Sequence, residues 1–263
     1  HITAFNETTE REVEDALDDF GEIKGLILDL RGNPGGLLME GVGVADKFLK
    51  RGQVIVSHHG RSSPESLYRA AHGNGGKDYP LVVLVNRGTA SAAEIVSGAI
   101  QDHDRGLIAG ETTFGKGLVQ TVFALAGNAG LALTTAKYYT PSGRLIQRDY
   151  SSVSLYDYYF TREDEKNGTP NTANKEVKLT DSGRTVYGGG GITPDVKIAP
   201  VKTTRFDDSL LQKYAFFNFA ARYVQSHSVD KSFDVSDNVL QDFRKFLDAQ
   251  KVPYTEAELH EGL

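Results

Sequence analysis

Apolar residues follow two different spacings along the first half of the chain. Short apolar runs, such as 26–28 and 81–85, are typical of buried β-strands. Apolar positions three or four residues apart lie between these runs and predict helices over 9–20, 37–49 and 92–100. Strands are predicted at 25–30, 53–57, 81–85, 107–109, 118–125 and 131–139. This alternation of strand and helix predicts an α/β fold.

Other stretches depart from that alternation. The polar link 62–77 is predicted to be a flexible loop, and the pattern fails between residues 150 and 187. Helical spacing returns beyond Pro200, and 27 of the 28 glycines lie at or before Gly191. The predicted divisions are a core over 1–203, a probable insertion into that core over 151–188, and a helical C-terminal extension over 204–263.

The composition excludes several classes of protein and site. A net charge of −6, without a local basic patch, argues against nucleic-acid binding. Without cysteine the chain forms no disulfide, thiolate zinc site or cysteine nucleophile, and its histidines lack metal-ligand spacing, so no metal site is predicted. The longest apolar run is far shorter than the ~18 residues that span a membrane. The first residues lack the pattern of a signal peptide and resemble the end of a strand, which suggests a segment of a longer protein.

Ser91 is the best candidate for a nucleophile. It lies where the predicted strand 81–85 turns into the predicted helix 92–100, so its hydroxyl is aimed out of the turn. The backbone N–H of Ala92 then lies at the positive end of the helix dipole, where it can bind an oxyanion. The alternative role is structural, because a serine in front of a helix is a common N-cap worth about 1 kcal/mol, and spacing alone favours that role.

A serine nucleophile needs a base, and the histidines do not supply one. His103 follows Ser91 by 12 residues on the same predicted helix. That separation is about 18 Å along the helix and about 120° around it, so the imidazole cannot reach Ser91 unless the helix breaks. His58 and His59 point to opposite faces of a strand and are interpreted as surface residues.

Lys116 is a better candidate for the base. It lies between two glycines at the start of a predicted strand, where Lys116, Leu118 and Gln120 share one face. A lysine acts as a base only when neutral, a state that is disfavoured at pH 7 by roughly 4 kcal/mol, and burial among apolar groups reduces that penalty. Gln120 can hold the amine in line with Ser91, and a Ser–Lys pair is a known variant of the serine triad.

The same lysine also invites a nucleotide-binding interpretation. Residues 110–116 fit the G-x-x-x-x-G-K pattern of a P-loop, but Gly117 stands where magnesium binding needs serine or threonine. A strand rather than the required helix is predicted to follow. The P-loop is therefore the weaker hypothesis.

Taken together, these residues resemble the carboxyl-terminal processing peptidases, the tail-specific serine proteases of family S41. The resemblance rests on ordered blocks and covers roughly residues 2 to 198. It implies a spiral ββα core of the α/β class, like that of the crotonase and Clp-protease superfamily. The matching blocks are 25–38, which includes DLRGNPGG, and 86–94, 110–120, 134–147 and 191–195.

The resemblance also implies roles for individual residues. Ser91 would be the nucleophile, Lys116 the general base and Gln120 the residue that orients Lys116. The oxyanion hole would use the N–H of Ala92 and that of one glycine of the pair Gly35 and Gly36. Asp102 matches an acidic position of some family members and would support the site structurally. No cofactor is implied.

Substrates and location follow from the same resemblance. The family acts on proteins with exposed, apolar C-termini, usually in the periplasm or another exported compartment. Its usual PDZ domain is not in this sequence, so a catalytically impaired peptide-binding or scaffold protein on the same fold is the alternative. The apolar faces of the helices in 204–263 are expected to complete the core or to contact another subunit.

Overall fold

The computed structural model describes residues 1–61, 63–151, 176–200, 204–230, 233–255 and 258. The chain divides into two compact units, His1–Ala199 and Pro200–Leu263. In chain order the first unit contains α1 (Thr9–Phe20), β1 (Leu26–Asp29), α2 (Leu38–Asp46), β2 (Val54–Gly60), β3 (Ser63–Arg69), β4 (Leu81–Val85), α3 (Ala92–Asp102), β5 (Leu107–Gly110), β6 (Leu118–Ala124), a short 3-10 turn (Ala126–Asn128), β7 (Gly130–Tyr139), β8 (Val177–Leu179), β9 (Thr185–Tyr187) and β10 (Val196–Lys197). The second unit contains α4 (Arg205–Gln212), α5 (Ala215–Tyr223) and α6 (Asp237–Ala249).

A parallel sheet with the strand order β1-β4-β5-β10 forms the centre of the first unit. Leu26 of β1 lies opposite Leu81 of β4, and Val82 of β4 lies opposite Leu107 of β5. Because the carboxyl ends of parallel strands lie at one edge of a sheet, the segments that follow β1, β4 and β5 are neighbours there. The predicted α/β class, with helices at the C-terminal end, is confirmed.

Helix α3 connects β4 to β5, and all of its residues are buried. Its apolar side chains, including Val96 and Ile100, pack in one core with Val83 and Ile108 of the sheet. Burying each such side chain contributes about 1.5–3 kcal/mol, which fixes α3 and therefore the residue that precedes it.

A second, antiparallel sheet has the strand order β3-β2-β7-β6. The prediction of a flexible loop over 62–77 was wrong for β3, which pairs with β2. β3 is an edge strand, and edge strands accept proline and charged residues such as Pro64 and Glu65 because one side of their backbone needs no partner. Its polar composition therefore concealed a strand.

The predicted insertion 151–188 lies largely outside the described residues. Its last part forms the hairpin of β8 and β9. Arg184, next to β9, donates a hydrogen bond to the Gln101 carbonyl of α3 and forms ion pairs with Asp104, after α3, and Asp195, before β10. The insertion itself therefore remains a prediction, while its final residues belong to the first unit.

The second unit has an aromatic core of its own. Phe206 and Leu210 of α4 pack with Phe243 and Leu247 of α6, and all four side chains are buried. Thr204 caps α4 by accepting a hydrogen bond from the backbone N–H of Asp207 at 3.2 Å. Among the described residues of both units, no helix is long and apolar enough to cross a membrane.

Candidate active site

Three segments meet at the carboxyl edge of the parallel sheet and are joined by buried polar side chains. Thr89, after β4, donates a hydrogen bond from Oγ1 to the carbonyl of Leu30, after β1, at 2.8 Å. The carbonyl of Asn33 accepts one from the Ala90 N–H at 2.8 Å. The carbonyl of Thr89 accepts another from the Phe114 N–H, after β5, at 2.9 Å. Since Thr89 and Asn33 are fully buried, these bonds hold the three segments in one arrangement.

Ser91 lies in the turn between β4 and α3, as predicted. Its φ of 55° is a conformation that residues with a side chain rarely adopt, and such strain occurs often at functional sites. The side chain is half-buried. Gly35 packs directly against it, because a Cβ atom at Gly35 would lie 2.6 Å from the Cβ of Ser91. Only glycine fits at this position.

Two backbone N–H groups near Ser91, those of Ala92 and Gly36, are suited to bind an oxyanion. The N–H of Ala92, the first residue of α3, donates to no group among the described residues and lies at the positive helix end. The N–H of Gly35 donates instead to Asn33 Oδ1 at 2.8 Å. Gly36 is exposed, and the bridge that it forms with Phe5 uses the Gly35 carbonyl and the Leu37 N–H rather than the Gly36 N–H.

The carboxylate of Glu94 joins the turn that contains Ser91 to the segment 113–116, which contains Lys116. Its Oε2 accepts hydrogen bonds from the N–H groups of Ser91, at 2.9 Å, and Lys116, at 2.8 Å. Its Oε1 accepts from Thr113 Oγ1, at 2.5 Å, and the Gly115 N–H, at 2.7 Å. The side chain is fully buried. Burial raises the pKa of the Glu94 carboxyl, and the hydrogen bonds from Thr113, Lys116, Gly115 and Ser91 act in the opposite direction.

Sequence reasoning assigned no role to Glu94. The available indication was its position three residues after a candidate N-cap serine, the spacing of a capping box. That spacing predicts the bond to the Ser91 N–H, but it contains no information on residues 113–116. The contacts of Glu94 with residues 113–116 therefore depend on the tertiary fold alone.

Lys116 and Gln120 lie on the neighbouring segment, and both side chains are exposed. The lysine side chain therefore does not lie buried among apolar groups in this structure. Within the described residues, no hydrogen bond joins either side chain to Ser91. The structure thus places the backbone of Lys116 beside the turn that contains Ser91, but the two side chains do not form a hydrogen bond.

The remaining candidates lie away from Ser91 or lack the required surroundings. Residues 110–116 are followed by β6 rather than by a helix, which contradicts the P-loop alternative. His103 caps the far end of an unbroken α3, and its ring contacts Asp181 and the Val54 carbonyl, each at 2.7 Å. His58 is half-buried beside Tyr68, so the surface interpretation was wrong for it, whereas His59 is exposed.

Asp102 lies at the C-terminal end of α3, opposite Ser91. It forms an ion pair with Arg144, and both side chains are buried. Asp102 also accepts a hydrogen bond from the Ser142 N–H at 3.0 Å. Burial lowers the pKa of the Arg144 guanidinium, and Asp102 acts against that shift. Asp102 therefore anchors the turn after β7 to α3 and does not contact the catalytic candidates.

Among the described residues, no group of three or more histidine or acidic side chains has the arrangement of a metal site.

Comparison with known proteins gives the following matches. The model of peptidase family S41 matches residues 1–152, and that of the C-terminal helical domain of probable PDZ-proteases matches 206–261. The carboxy-terminal-processing protease of Bartonella bacilliformis is 44% identical over 152 residues, which is 56% of this chain and 35% of that protein. The carboxyl-terminal-processing protease of Synechocystis sp. is 46% identical over 149 residues, which is 56% of this chain and 34% of that protein. The chain thus spans about a third of the length of these relatives.

A chloroplastic relative and two solved structures extend these matches. The chloroplastic C-terminal processing peptidase of Tetradesmus obliquus is 44% identical over 144 residues, covering 54% of this chain and 31% of that protein. A photosystem II D1 C-terminal processing protease has a TM-score of 0.54 and 34% identity, covering 76% of this chain and 41% of that one. An S41 protease structure from Bacteroides fragilis, at 16% identity, shares the fold alone, with a TM-score of 0.50 over 87% of this chain and 54% of that one.

Proposed function

This chain belongs to peptidase family S41, and we propose that it is the catalytic core of a serine endopeptidase with Ser91 as nucleophile and Lys116 as general base. One observation carries this proposal. A single oxygen of the buried Glu94 carboxylate accepts hydrogen bonds from the backbone N–H groups of both Ser91 and Lys116. The two segments are therefore held side by side, as a shared reaction requires.

The reaction follows from the groups present. Ser91 Oγ attacks the carbonyl carbon of the scissile peptide bond, and its proton passes to the neutral amine of Lys116. The oxygen that becomes negative is bound by the N–H groups of Ala92 and Gly36, because that of Gly35 is occupied. Lys116 then gives the proton to the leaving amine. Water next attacks the carbonyl carbon of the acyl-enzyme, its proton passes to Lys116, and Lys116 returns that proton to Ser91 Oγ as the ester bond breaks. Gln120 orients the lysine amine.

The substrates are proteins with exposed, apolar C-termini. The names of the relatives, which describe carboxyl-terminal processing, support this choice. The relatives include bacterial and chloroplastic proteases, which supports an exported or lumenal location. We also propose that residues 1–203 act as the catalytic core and that the helices of 204–263 contact a second copy. In the second unit, Tyr214 and Phe217 are 71% and 72% exposed, which supports such a contact.

Cleavage of β-casein, an unfolded protein, tests the assignment of the catalytic pair. We expect Ser91→Ala and Lys116→Ala each to reduce kcat by about 10³-fold or more, because each removes a group that acts in the transition state. Lys137→Ala is the matched control, since Lys137 is also exposed and lies opposite Leu118 on the adjacent strand. Undiminished cleavage by both active-site variants would rule the proposal out.

The pH profile separates lysine from other bases. A lysine that acts as base gives a rate that rises towards alkaline pH, and Lys137→Ala should leave that profile unchanged. A rate that is flat between about pH 6 and pH 9 contradicts a lysine base.

A second function is favoured by one observation. Lys116 is exposed and makes no hydrogen bond to Ser91 in the described structure, as expected of a catalytically impaired peptide-binding or scaffold protein. The two functions differ in one measurement. The scaffold would bind β-casein with the same affinity in the wild type and Ser91→Ala, and would release no fragments.

A further inference from the structure

Three consecutive backbone N–H groups around Lys116 are bound by buried side chains. Those of Gly115 and of Lys116 itself donate to the Glu94 carboxylate. The next one, that of Gly117, donates to Oε1 of Gln147 at 2.9 Å. Gln147 lies after β7 and is only 3% exposed. Two buried side chains, one from α3 and one from the segment after β7, therefore hold the backbone on either side of Lys116.

The amide of Gln147 forms a second hydrogen bond at its nitrogen. Nε2 donates to the Arg148 carbonyl at 2.6 Å, and the Arg148 N–H in turn donates to the Gly115 carbonyl at 2.9 Å. An amide accepts at its oxygen and donates at its nitrogen while it stays neutral. Gln147 therefore connects its own segment to the backbone beside Lys116 without placing a charge there.

The glycines that flank Lys116 show how closely the two backbones approach each other. A Cβ atom at Gly117 would lie 2.6 Å from the backbone nitrogen of Gln147. A Cβ atom at Gly115, whose φ is 87°, would lie 2.8 Å from the Arg148 Cβ. Both distances are shorter than real Cβ contacts, so glycine on each side of Lys116 is what lets the two segments lie together.

The position of the Lys116 backbone matters because its side chain is exposed. A lysine amine lies at the end of a flexible four-carbon chain, so the backbone does most to place an exposed one. A reacting group that is displaced by about 1 Å, even by a change far from the chemistry, can lose about a hundredfold in rate. The groups that hold this backbone therefore bear directly on the proposed reaction.

We propose that Gln147 is a positioning residue for the reaction, which holds the Lys116 backbone where the lysine amine can serve Ser91. This inference rests on the proposed function, because Gln147 acts through the proposed base. It acts on the Gly117 N–H, one residue beyond Lys116, rather than on the substrate. Glu94 and Gln147 thus divide the task, since Glu94 links the lysine to the Ser91 turn and Gln147 fixes its other side.

Replacement of the amide by an apolar side chain of similar size tests this role. Gln147→Leu removes both the acceptor and the donor. Asn74→Leu is the matched control, because Asn74, between β3 and β4, is also buried and also bridges a backbone N–H and a carbonyl, those of Gly76 and Lys77, at 3.1 and 2.9 Å. Both variants should lower the urea midpoint of unfolding to a similar extent.

The two variants should differ in activity. We expect Gln147→Leu to lower kcat for β-casein by at least about tenfold with little change in KM, and Asn74→Leu to leave both constants unchanged. Circular dichroism checks that each variant is folded. An equal loss of kcat in both variants, or none in a folded Gln147→Leu, overturns the proposal.

A double-mutant cycle separates positioning from general support of the fold. The probe is hydrolysis of p-nitrophenyl acetate, an activated ester that gives a measurable residual rate. If Gln147 acts through the lysine, Gln147→Leu lowers the rate of the wild type but not that of Lys116→Ala. A loss by the same factor in both backgrounds means that Gln147 is merely structural, and the proposal is wrong.

A second variant tests the same contact if Gln147→Leu does not fold. Gly117→Ala places a methyl group against the Gln147 nitrogen and should lower kcat to a similar extent. Gly130→Ala, on the adjacent strand β7, is its control, because the nearest atom to the added group is Val122 Cγ1 at an ordinary 3.4 Å. Wild-type kcat in Gly117→Ala contradicts the proposal.

The remaining outcomes distinguish this inference from the proposed function. If Ser91→Ala and Lys116→Ala abolish cleavage but Gln147→Leu leaves kcat unchanged, the positioning role fails and the peptidase stands. If the wild type cleaves nothing, amide hydrogen exchange by NMR decides. Faster exchange at Gly117 in Gln147→Leu, but not in Asn74→Leu, shows that Gln147 holds this backbone although the catalytic proposal has failed. Unchanged exchange at Gly117 overturns the positioning role as well.

Discussion

The segment that carries Ser91 and the segment that carries Lys116 lie side by side, yet their surroundings differ. Ser91 precedes a helix that is buried along its whole length, and Thr89 and Asn33 tie its turn to the adjacent loop. Lys116 precedes an edge strand whose outer half is exposed, and its own side chain is exposed. The fold thus fixes Ser91, the proposed nucleophile, firmly and fixes only the backbone of Lys116, the proposed base.

This difference follows from what each group must do. A nucleophile and its oxyanion donors act through precise geometry, which packing and buried hydrogen bonds supply in advance. The Lys116 side chain is exposed, so packing does not fix its position as it fixes that of Ser91. The proposed reaction therefore places different demands on the two segments.

After replacement of Ser91 itself, the largest effect around Ser91 is expected from Gly35→Ala. The added methyl group would lie 2.6 Å from the Ser91 Cβ and 2.9 Å from the Ala92 nitrogen, at a φ of 92°. Displacement of the oxyanion donors should lower kcat for β-casein by about a hundredfold with little change in KM. Gly32→Ala is the control, because its φ of 70° is also strained but no atom lies within 4 Å of the added group. Equal loss of activity in both variants would mean that strain, rather than contact with Ser91, is responsible.

The link between the Ser91 turn and the Lys116 segment can be weakened by Glu94→Gln. An amide group must turn its NH₂ towards one pair of the four donors, so at least one buried hydrogen bond is lost. We expect the free energy of unfolding in urea to fall by about 2 kcal/mol. The control is Glu111→Gln, at a partly exposed residue between β5 and Lys116, and it should have little effect on the free energy of unfolding. Wild-type stability in Glu94→Gln would show that Glu94 does not hold the halves together.

The smallest effect is expected at the outer side of the nucleophile half. Hydrogen bonds from Arg31 hold the pKa of the Asp29 carboxyl below its ordinary value of 3.8. A lowered pKa means that the ionised form stabilises the fold above that value and that this contribution disappears as the pH falls through the lowered pKa. Asp29→Asn should therefore lower the free energy of unfolding slightly at pH 7. The change should be smaller than that of Glu94→Gln, because Arg31 is exposed.

The measurement is urea unfolding of wild type and Asp29→Asn over an acid series. The difference between the two proteins should shrink as the pH falls below the ordinary value of 3.8. A difference that grows in acid has the wrong sign for this ion pair.

Local patterns predicted the strand, turn and helix around Ser91 because apolar spacing there reflects burial on both faces of a parallel sheet. They failed at β3, where an edge strand carries the residues of a loop. They also do not decide whether Lys116 is buried, because the apolar run that follows it is a strand with one described neighbour only. Spacing within a strand does not reveal which side of it has a neighbour.

The sequence by itself determined the α/β class, the position of Ser91 before a helix and the membership of family S41, because these depend on local periodicity and ordered motifs. Only the tertiary structure decided which N–H groups near Ser91 have a partner among the described residues, and which carboxylate joins the Ser91 backbone to that of Lys116. Each of these depends on groups far apart in the chain meeting at one place. Hydrogen bonds between Glu94 and residues 113–116 need the segments that follow β4 and β5 to lie side by side, as the pairing of these two strands places them.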